Sequence, residues 1–123
     1  MPLHIVMDVR RIRDFGIGTY IRGLAGALAA GYARDEWNAL VDPAQAGSMR
    51  WPGDVHEVSV RAGKYGFAEH FAVPAAARRV NAELLHAPHY TLPLGWNGRS
   101  VVTIHDLIHI RFAHFHRAGV GVY

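Results

Sequence analysis

The fold of this chain is decided by one stretch, residues 100–110, whose sequence is SVVTIHDLIHI. Residues 100–104 carry no charge, and four of the five are apolar or β-branched, which is typical of a strand buried on both faces of a sheet. The uncharged run ends on two titratable residues, His105 and Asp106. Ligands of open parallel sheets bind outside the carboxyl ends of the strands, so we expect this pair at the mouth of a crevice.

Upstream of this stretch, segments typical of strands alternate with segments typical of helices. We predict strands at residues 3–9, 36–42, 55–60 and 83–87, and helices at residues 19–31 and 67–82, the second broken or restarted at Pro74. This order favours an α/β fold, Rossmann-like, with a mostly parallel sheet, flanking helices and right-handed crossovers. We interpret residues 1–123 as one domain that is incomplete at its C-terminal end, because residues 111–123 offer only a loop and the start of a helix.

The composition excludes several classes of site and partner. The chain contains no cysteine, which excludes disulfides and thiolate chemistry and favours a reducing compartment, the cytoplasm. Its net charge of +3 is compatible with phosphate-bearing ligands or with peripheral binding at the anionic inner face of a membrane. Basic blocks and aromatic–arginine interleaving are missing, so we expect no nucleic-acid partner. We find neither a signal peptide nor an apolar run of membrane-spanning length.

A glycine-punctuated loop joins the first strand to the first helix. It contains Gly16, Ile17, Gly18 and Thr19, and we predict Thr19 as the N-cap of the helix and Gly31 as its C-terminal stop. Glycines let the backbone approach a ligand, and free N–H groups at a helix N-terminus attract anions, so the loop is a candidate phosphate site. A tight turn with a helix cap explains the same residues and is the better interpretation of the loop taken alone.

The histidines and Asp106 allow more than one chemical role. His105 can donate a hydrogen bond to a ligand, act as a general base, or be a core histidine satisfied by the backbone. Asp106 fits a helix cap or a loop anchor better than a catalytic base. Other histidines lie nearby in the sequence, at positions 86, 89, 109, 114 and 116. Because their spacing is not typical of a zinc site, we expect no metal and no cofactor.

Residues 64–71 form a second stretch of interest, with basic and aromatic side chains that include Lys64, Tyr65, Phe67 and Phe71. Such a stretch can lie on a membrane surface or meet an acceptor molecule. The apolar face of a helix packed on the sheet explains it more simply, and we favour that interpretation.

Four motifs, taken together and in this order, resemble one family. They are Asp8 at the end of the first strand, the glycine loop at residues 16–20, the segment LLHAPHY at residues 84–90, and VVTIHDLI at residues 101–108. From Leu3 to about Phe115 the chain is similar to the N-terminal domain of the group 1 (family 4) retaining glycosyltransferases. These enzymes have the GT-B fold, which consists of two Rossmann-like domains.

The resemblance implies an activity and a set of site residues. Such enzymes hold a nucleotide-sugar donor between their two domains and transfer the sugar to a glycan or lipid-linked acceptor, without a metal. It implies that the donor phosphates or the acceptor lie near the glycine loop, with Gly16, Ile17, Gly18 and Thr19 as the donor- and phosphate-binding residues. It also implies that His105 reaches the transferred sugar, with Asp106 beside the cleft. Acceptor contacts are implied for four residues: His89, Tyr90, Lys64 and Tyr65.

We therefore expect the acceptor-side half of a hexosyltransferase of polysaccharide biosynthesis, with mannose as one candidate sugar. The family's second domain, which carries most donor contacts, is not among these 123 residues. We expect the chain alone to be inactive and to self-associate through apolar surface that the second domain would cover. The alternative is a non-catalytic Rossmann-like binding or interaction module.

Overall fold

The computed structural model describes residues 1–63, 66–89 and 91–107. In these residues the strands are β1 (His4–Asp8), β2 (Glu36–Val41), β3 (Val55–Ser59), β4 (Leu84–Ala87) and β5 (Arg99–Val102), and the α-helices are α1 (Ile17–Gly31) and α2 (Glu69–Arg79). A short 3-10 helix, Pro43–Gln45, follows β2. The predicted order of strands and helices is confirmed. Neither α1 nor α2, the helices of the described ranges, is long and apolar enough to cross a membrane.

All five strands are parallel and form one sheet with the order β3-β2-β1-β4-β5. The chain moves outward from β1 to β2 and β3, and then returns to the other side of β1 to form β4 and β5. The direction of winding therefore reverses between β1 and β4, which is the position where such sheets bind ligands, outside the carboxyl ends of the strands. The predicted Rossmann-like α/β fold is confirmed.

The core lies on both faces of the sheet because successive strand residues point to opposite sides. On one face, Ile21 and Ala25 of α1 belong to a buried cluster with strand residues Ile5, Met7, Trp37 and Ala39. On the other face, the cluster contains α2 residues Val73, Ala76 and Ala77 with Val6, Leu40 and Leu85. The three central strands are mostly apolar on both faces for this reason, as is typical of parallel strands covered on two sides, and Asn38 of β2 is a buried polar exception.

β5 is one of the two edge strands of the described sheet, and its burial differs from our prediction. We expected residues 100–104 to be buried on both faces, but all four residues of β5 are exposed. Ile104, which follows the strand, is 61% exposed. The expectation of burial was wrong because an uncharged, β-branched run identifies a strand without showing whether another layer covers it.

α2 continues through Pro74, where we expected a break or a restart. Proline lacks the N–H group that would reach the carbonyl oxygen of His70, four residues earlier. That oxygen instead accepts a hydrogen bond from the backbone N–H of Gly95 at 3.2 Å, and the N–H of Leu94 donates to Nδ1 of His70 at 3.1 Å. The loop after β4 thus uses the oxygen that the proline leaves open, and the helix tolerates Pro74.

Candidate functional site

The residues of interest gather at one edge of the sheet, outside the carboxyl ends of β1, β4 and β5. Asp8 is the last residue of β1, His89 follows β4, and His105 follows β5. The glycine loop starts from the same edge because it leads from β1 into α1. Parallel strands bring their carboxyl ends together, so these four parts of the chain meet although they are far apart in sequence.

Asp8 is the centre of a buried polar network. It is 1% exposed, and its carboxylate accepts four hydrogen bonds. Arg10 donates three of them, from its backbone N–H at 3.2 Å, from Nε at 2.8 Å and from Nη2 at 2.7 Å. The fourth links Oδ2 to Nε2 of His89 at 3.0 Å. A guanidinium that forks onto both carboxylate oxygens is the strong geometry for an ion pair, and here it joins the loop after β1 to Asp8 itself.

Arg10 extends the network to the start of α2. Its Nη2 also lies 3.3 Å from Oε2 of Glu69, a buried residue at the first position of the helix. A carboxylate is favoured there by the positive end of the helix dipole. The other oxygen, Oε1, is buried and has no hydrogen-bond partner within residues 1–63, 66–89 and 91–107. We call Asp8, Arg10, Glu69 and His89 the Asp8 network.

His89 is held by both of its ring nitrogens. Nε2 contacts Asp8, and Nδ1 accepts a hydrogen bond from the backbone N–H of Thr91 at 3.4 Å. A ring nitrogen that accepts carries no proton, so these contacts assign the proton to Nε2. His89 is buried and fixed, which is the arrangement of a positioning residue. The expected contact between His89 and an acceptor stays a prediction.

The network also shifts the ionisation of its members. Burial raises the pKa of Asp8, but the hydrogen bonds from His89 and Arg10 outweigh burial and hold this pKa well below its usual value. Burial lowers the pKa of Arg10, and the hydrogen bond to Asp8 more than compensates, so the pKa is raised. Burial and the neighbouring His89 lower the pKa of His86, which is half-buried on β4. Asp8 and Arg10 therefore form a charged pair at neutral pH.

His105 lies beside the Asp8 network at the same edge. Its Nε2 is 3.0 Å from the backbone carbonyl oxygen of Pro88, and its ring meets the ring of Tyr20 edge-on with centroids 4.9 Å apart. A carbonyl oxygen only accepts, so Nε2 is the nitrogen that carries the proton. The hydroxyl of Tyr20 is in turn 3.3 Å from Oγ1 of Thr103. Parts of α1, of the loop after β4 and of the segment after β5 thus meet around one exposed imidazole.

The glycine loop makes a tight backbone turn ahead of α1. Gly16 has φ 75° and ψ −63°, and the N–H of Ile17 donates to the carbonyl oxygen of Phe15 at 2.9 Å. These values define a γ-turn with a positive φ, a conformation that favours glycine. Our prediction of Thr19 as the N-cap was wrong, because the turn starts the helix at Ile17 with Gly16 in the cap position. The predicted stop at Gly31 is confirmed.

Gly18 is explained by packing against the loop that follows β1. A Cβ at this position would overlap the carbonyl oxygen of Ile12 and lie 2.8 Å from its carbonyl carbon. Arg22 donates to the same oxygen at 2.6 Å, and its Nη2 lies 3.3 Å from the hydroxyl of Thr19. The guanidinium of Arg22 therefore stands at the start of α1.

The first backbone amides of α1 are largely in use. The N–H groups of Ile17, Gly18 and Tyr20 donate to carbonyl oxygens of Phe15, Asp14 and Gly16. The attraction of this loop for an anion thus rests mainly on the helix dipole and on Arg22. Phosphate binding at Gly16, Ile17, Gly18 and Thr19 stays a prediction.

Three of the expected acceptor residues, Lys64, Tyr65 and Tyr90, lie outside the described residues. So do the histidines at positions 109, 114 and 116. In the part of the chain that the structure describes, no three His, Asp or Glu side chains are grouped to hold a metal ion. Asp106 is exposed beyond the end of β5, and its role stays a prediction.

The aromatic residues at the start of α2 face solvent, contrary to our expectation that they pack on the sheet. Phe67 is 77% exposed and Phe71 is 61% exposed, and their ring centroids are 5.4 Å apart. The helix buries smaller side chains against the sheet instead, among them Val73 and Ala77. The two phenylalanine rings form an apolar surface that a partner molecule can reach.

Sequence reasoning did not identify Arg10, Glu69 or Arg22 as residues of this edge. The close spacing of Asp8 and Arg10 at the end of a buried strand was a usable signal, because a charge at such a position needs a partner. Glu69 gave no signal, since acidic residues are common in the first turn of any helix. Arg22 looks in the sequence like one basic residue on an exposed helix face.

The chain matches no protein-family model, no curated protein and no solved structure. The support for a function therefore comes from the sequence motifs and from the geometry of this edge of the sheet.

Proposed function

We propose that this chain is the acceptor-side, N-terminal domain of a retaining glycosyltransferase of the GT-B fold. In the proposal the enzyme transfers a sugar, with mannose as one candidate, from a nucleotide-sugar donor to a glycan or lipid-linked acceptor. The observation that supports it best is the position of His105 at the carboxyl edge of the sheet, with Nε2 on the Pro88 carbonyl and the ring against Tyr20. Doubly wound sheets bind their ligands at this edge.

The chemistry of the proposal fits the groups at this edge. Glycosyl transfer passes through an oxocarbenium-like state with a departing diphosphate, so fixed dipoles and polar contacts around the sugar and the phosphates supply most of the stabilisation. His105 contacts the transferred sugar. Because its Nε2 proton goes to Pro88, the imidazole meets the sugar through its ring and not through that N–H group in this proposal. This role requires no metal ion.

The donor phosphates lie near residues 16–19 in this proposal. The N-terminal end of α1 and the guanidinium of Arg22 both attract an anion there. Acceptor contacts come from residues 64 and 65, from Tyr90, and from the exposed rings of Phe67 and Phe71. The second domain of such enzymes supplies the remaining donor contacts, so we propose that the chain is inactive without it.

The proposed activity is tested with the full-length protein, offered the common nucleotide sugars and scored for donor hydrolysis and sugar transfer. We expect turnover with one donor, and a loss of about 100-fold in His105→Ala, as for removal of one transition-state contact. His56→Ala is the matched control, since His56 is an exposed histidine on β3, away from this edge. Absence of turnover with every donor, or equal activity of His105→Ala and the control, would reject the enzyme.

A partner surface is proposed at β5 on a separate observation. Val101, Val102, Ile104 and Leu107 are exposed apolar residues of one short segment, and clusters of this kind commonly meet another protein surface. Such a surface is also what the alternative, a non-catalytic interaction module, would use. Light scattering of the chain should show self-association that Ile104→Ser with Leu107→Ser weakens. A monodisperse monomer at high concentration would contradict the proposed surface.

A further inference from the structure

We propose that the Asp8 network sets the orientation and the tautomer of His105 through the peptide bond between Pro88 and His89. The inference rests on the proposed function for the importance of His105, whereas the linkage itself is a property of the folded chain. It makes Asp8 and His89 positioning residues for His105, because they act on it through the backbone.

The first step of the linkage is the immobilisation of His89. Its ring is buried and is held at Nε2 by Asp8 and at Nδ1 by the N–H of Thr91. The carbonyl group of Pro88 shares one peptide plane with the backbone nitrogen and Cα of His89. A rotation of that carbonyl would move the His89 Cα, so the two ring contacts restrain the direction of the carbonyl.

The second step fixes the peptide from its other side. The N–H of Thr103 donates to the carbonyl oxygen of Ala87 at 3.0 Å, which continues the pairing of β4 with β5 by one residue. Pro88 is buried, and its ring fixes its own φ. The Pro88 carbonyl is therefore oriented by β5 on one side and by the Asp8 network on the other.

The third step is the contact of this carbonyl with His105. Its oxygen lies 3.0 Å from Nε2, and because it only accepts, it selects the tautomer with the proton on that nitrogen. The Tyr20 ring lies nearly perpendicular to the imidazole, with the two centroids 4.9 Å apart, and limits rotation of the imidazole. Through this carbonyl group the network determines which ring nitrogen of His105 carries the proton.

The linkage also explains why a buried ion pair is found at this edge. Such pairs add little to stability, because desolvation of the charges offsets their attraction. Arg10 instead keeps the Asp8 carboxylate in the position where it accepts the hydrogen bond from His89, and Glu69 in turn contacts Nη2 of Arg10. The charged groups therefore orient the loop after β4.

The test is nuclear magnetic resonance of the ¹⁵N-labelled protein, with the ring nitrogens of His105 assigned by their loss in His105→Asn. In the wild type we expect one tautomer for His105, protonated on Nε2, and the same for His89. In His89→Phe, which fills the volume but cannot bind Asp8 or Thr91, the two ring-nitrogen shifts of His105 should converge toward the average of both tautomers. His89→Gln, whose side-chain amide can donate to Asp8, should recover the wild-type shifts, and His56→Phe should not change them.

Unchanged His105 shifts in a folded His89→Phe protein would overturn the proposal. If circular dichroism shows that neither His89 variant folds, the wild-type spectrum decides. A proton on Nδ1 of His89, or an even mixture of tautomers for His105, would overturn the proposal. A single tautomer with the proton on Nε2 in both histidines would support the proposal. No readout uses a substrate. Loss of turnover in His105→Ala together with unchanged His105 shifts in His89→Phe would therefore keep the proposed function and reject the linkage.

Discussion

Asp8 and His89 are 81 residues apart in the sequence, and Oδ2 of Asp8 lies 3.0 Å from Nε2 of His89. Their strands, β1 and β4, are neighbours at the point where the winding of the sheet reverses. The hydrogen bond therefore ties together the two loops that border the place where such sheets bind ligands. Both side chains are buried, so the bond acts inside the protein and shapes this edge from beneath.

We expect Asp8→Asn to be strongly destabilising, by about 3–5 kcal/mol, because it breaks a buried ion pair while leaving Arg10 in place. The two carboxylate oxygens together accept hydrogen bonds from Arg10 and His89. In Asn the group that replaces one oxygen is an NH₂, which donates and would face another donor. Urea unfolding followed by circular dichroism measures the change. Asp54→Asn is the matched control, since Asp54 is an exposed aspartate, and should change stability by less than about 0.5 kcal/mol. Equal effects of the two substitutions would contradict the role of the network.

Stability should rise with pH across two ranges. The folded pKa of Asp8 lies below its unfolded value of about 3.9, so its contribution is present above about pH 4 and is lost as the pH falls further. The folded pKa of His86 is also lowered, by burial and by His89, so the unfolded chain binds the proton more readily below about pH 6.5 and stability falls there too. The free energy of unfolding, measured from about pH 8 to about pH 3, should show both declines. His86→Gln should remove only the upper one, and a profile that stays flat between about pH 6.5 and 4.5 in the wild type would contradict the shift at His86.

Two glycines of α1 should respond to alanine with opposite signs. In Gly18→Ala the new Cβ overlaps the Ile12 carbonyl, so we expect a loss of about 1–3 kcal/mol from overpacking. In Gly23→Ala the Cβ meets nothing within 4 Å. Alanine loses less backbone conformational entropy than glycine on folding, so the substitution should stabilise the helix by about 0.5–1 kcal/mol. Thermal unfolding of the two variants compares them directly. Stabilisation by both would mean that the helix start does not pack as closely on the preceding loop as we describe.

The sequence predicts the sheet because parallel strands covered on two faces must be apolar in both directions, and β1 and β2 are. It also places polar residues at the ends of β1, β4 and β5, which is why we expected the candidate site there. It does not predict which charges pair, since Arg10 and Glu69 are 59 residues apart and are brought together only in the folded chain. The sequence also does not predict two local features. The γ-turn at Gly16 shifts the start of α1, and α2 tolerates Pro74 because the N–H of Gly95, in the loop after β4, donates to the carbonyl oxygen of His70.

The exposure of β5 and of Phe71 has the same origin. Hydrophobic patterns show which residues prefer burial, but burial also requires a second surface, and the packing of α2 through small residues leaves Phe71 outside. For the candidate site, the sequence motifs pointed to His105, and the structure adds its contacts with Pro88 and Tyr20. The burial of His89 was the least predictable feature, since a histidine buried between two loops leaves no mark in its neighbouring residues.

The two parts of the Tyr20 side chain should be separable by substitution. Tyr20→Phe removes the hydroxyl that lies 3.3 Å from Oγ1 of Thr103 but keeps the ring that contacts His105. The hydroxyl contact is exposed, so we expect a loss of less than about 1 kcal/mol and unchanged nuclear Overhauser effects between ring 20 and His105. Tyr20→Ala removes the ring as well, and the imidazole should then rotate more freely, which would broaden or average the ring proton signals of His105.

For the proposed sugar transfer, we expect activity to depend on the ring of Tyr20 and not on its hydroxyl group: Tyr20→Phe should stay close to wild type, and Tyr20→Ala should lose activity. Equal losses in both variants would instead assign the function of Tyr20 to its hydroxyl, and equal wild-type activity would show that the orientation of His105 does not limit the reaction.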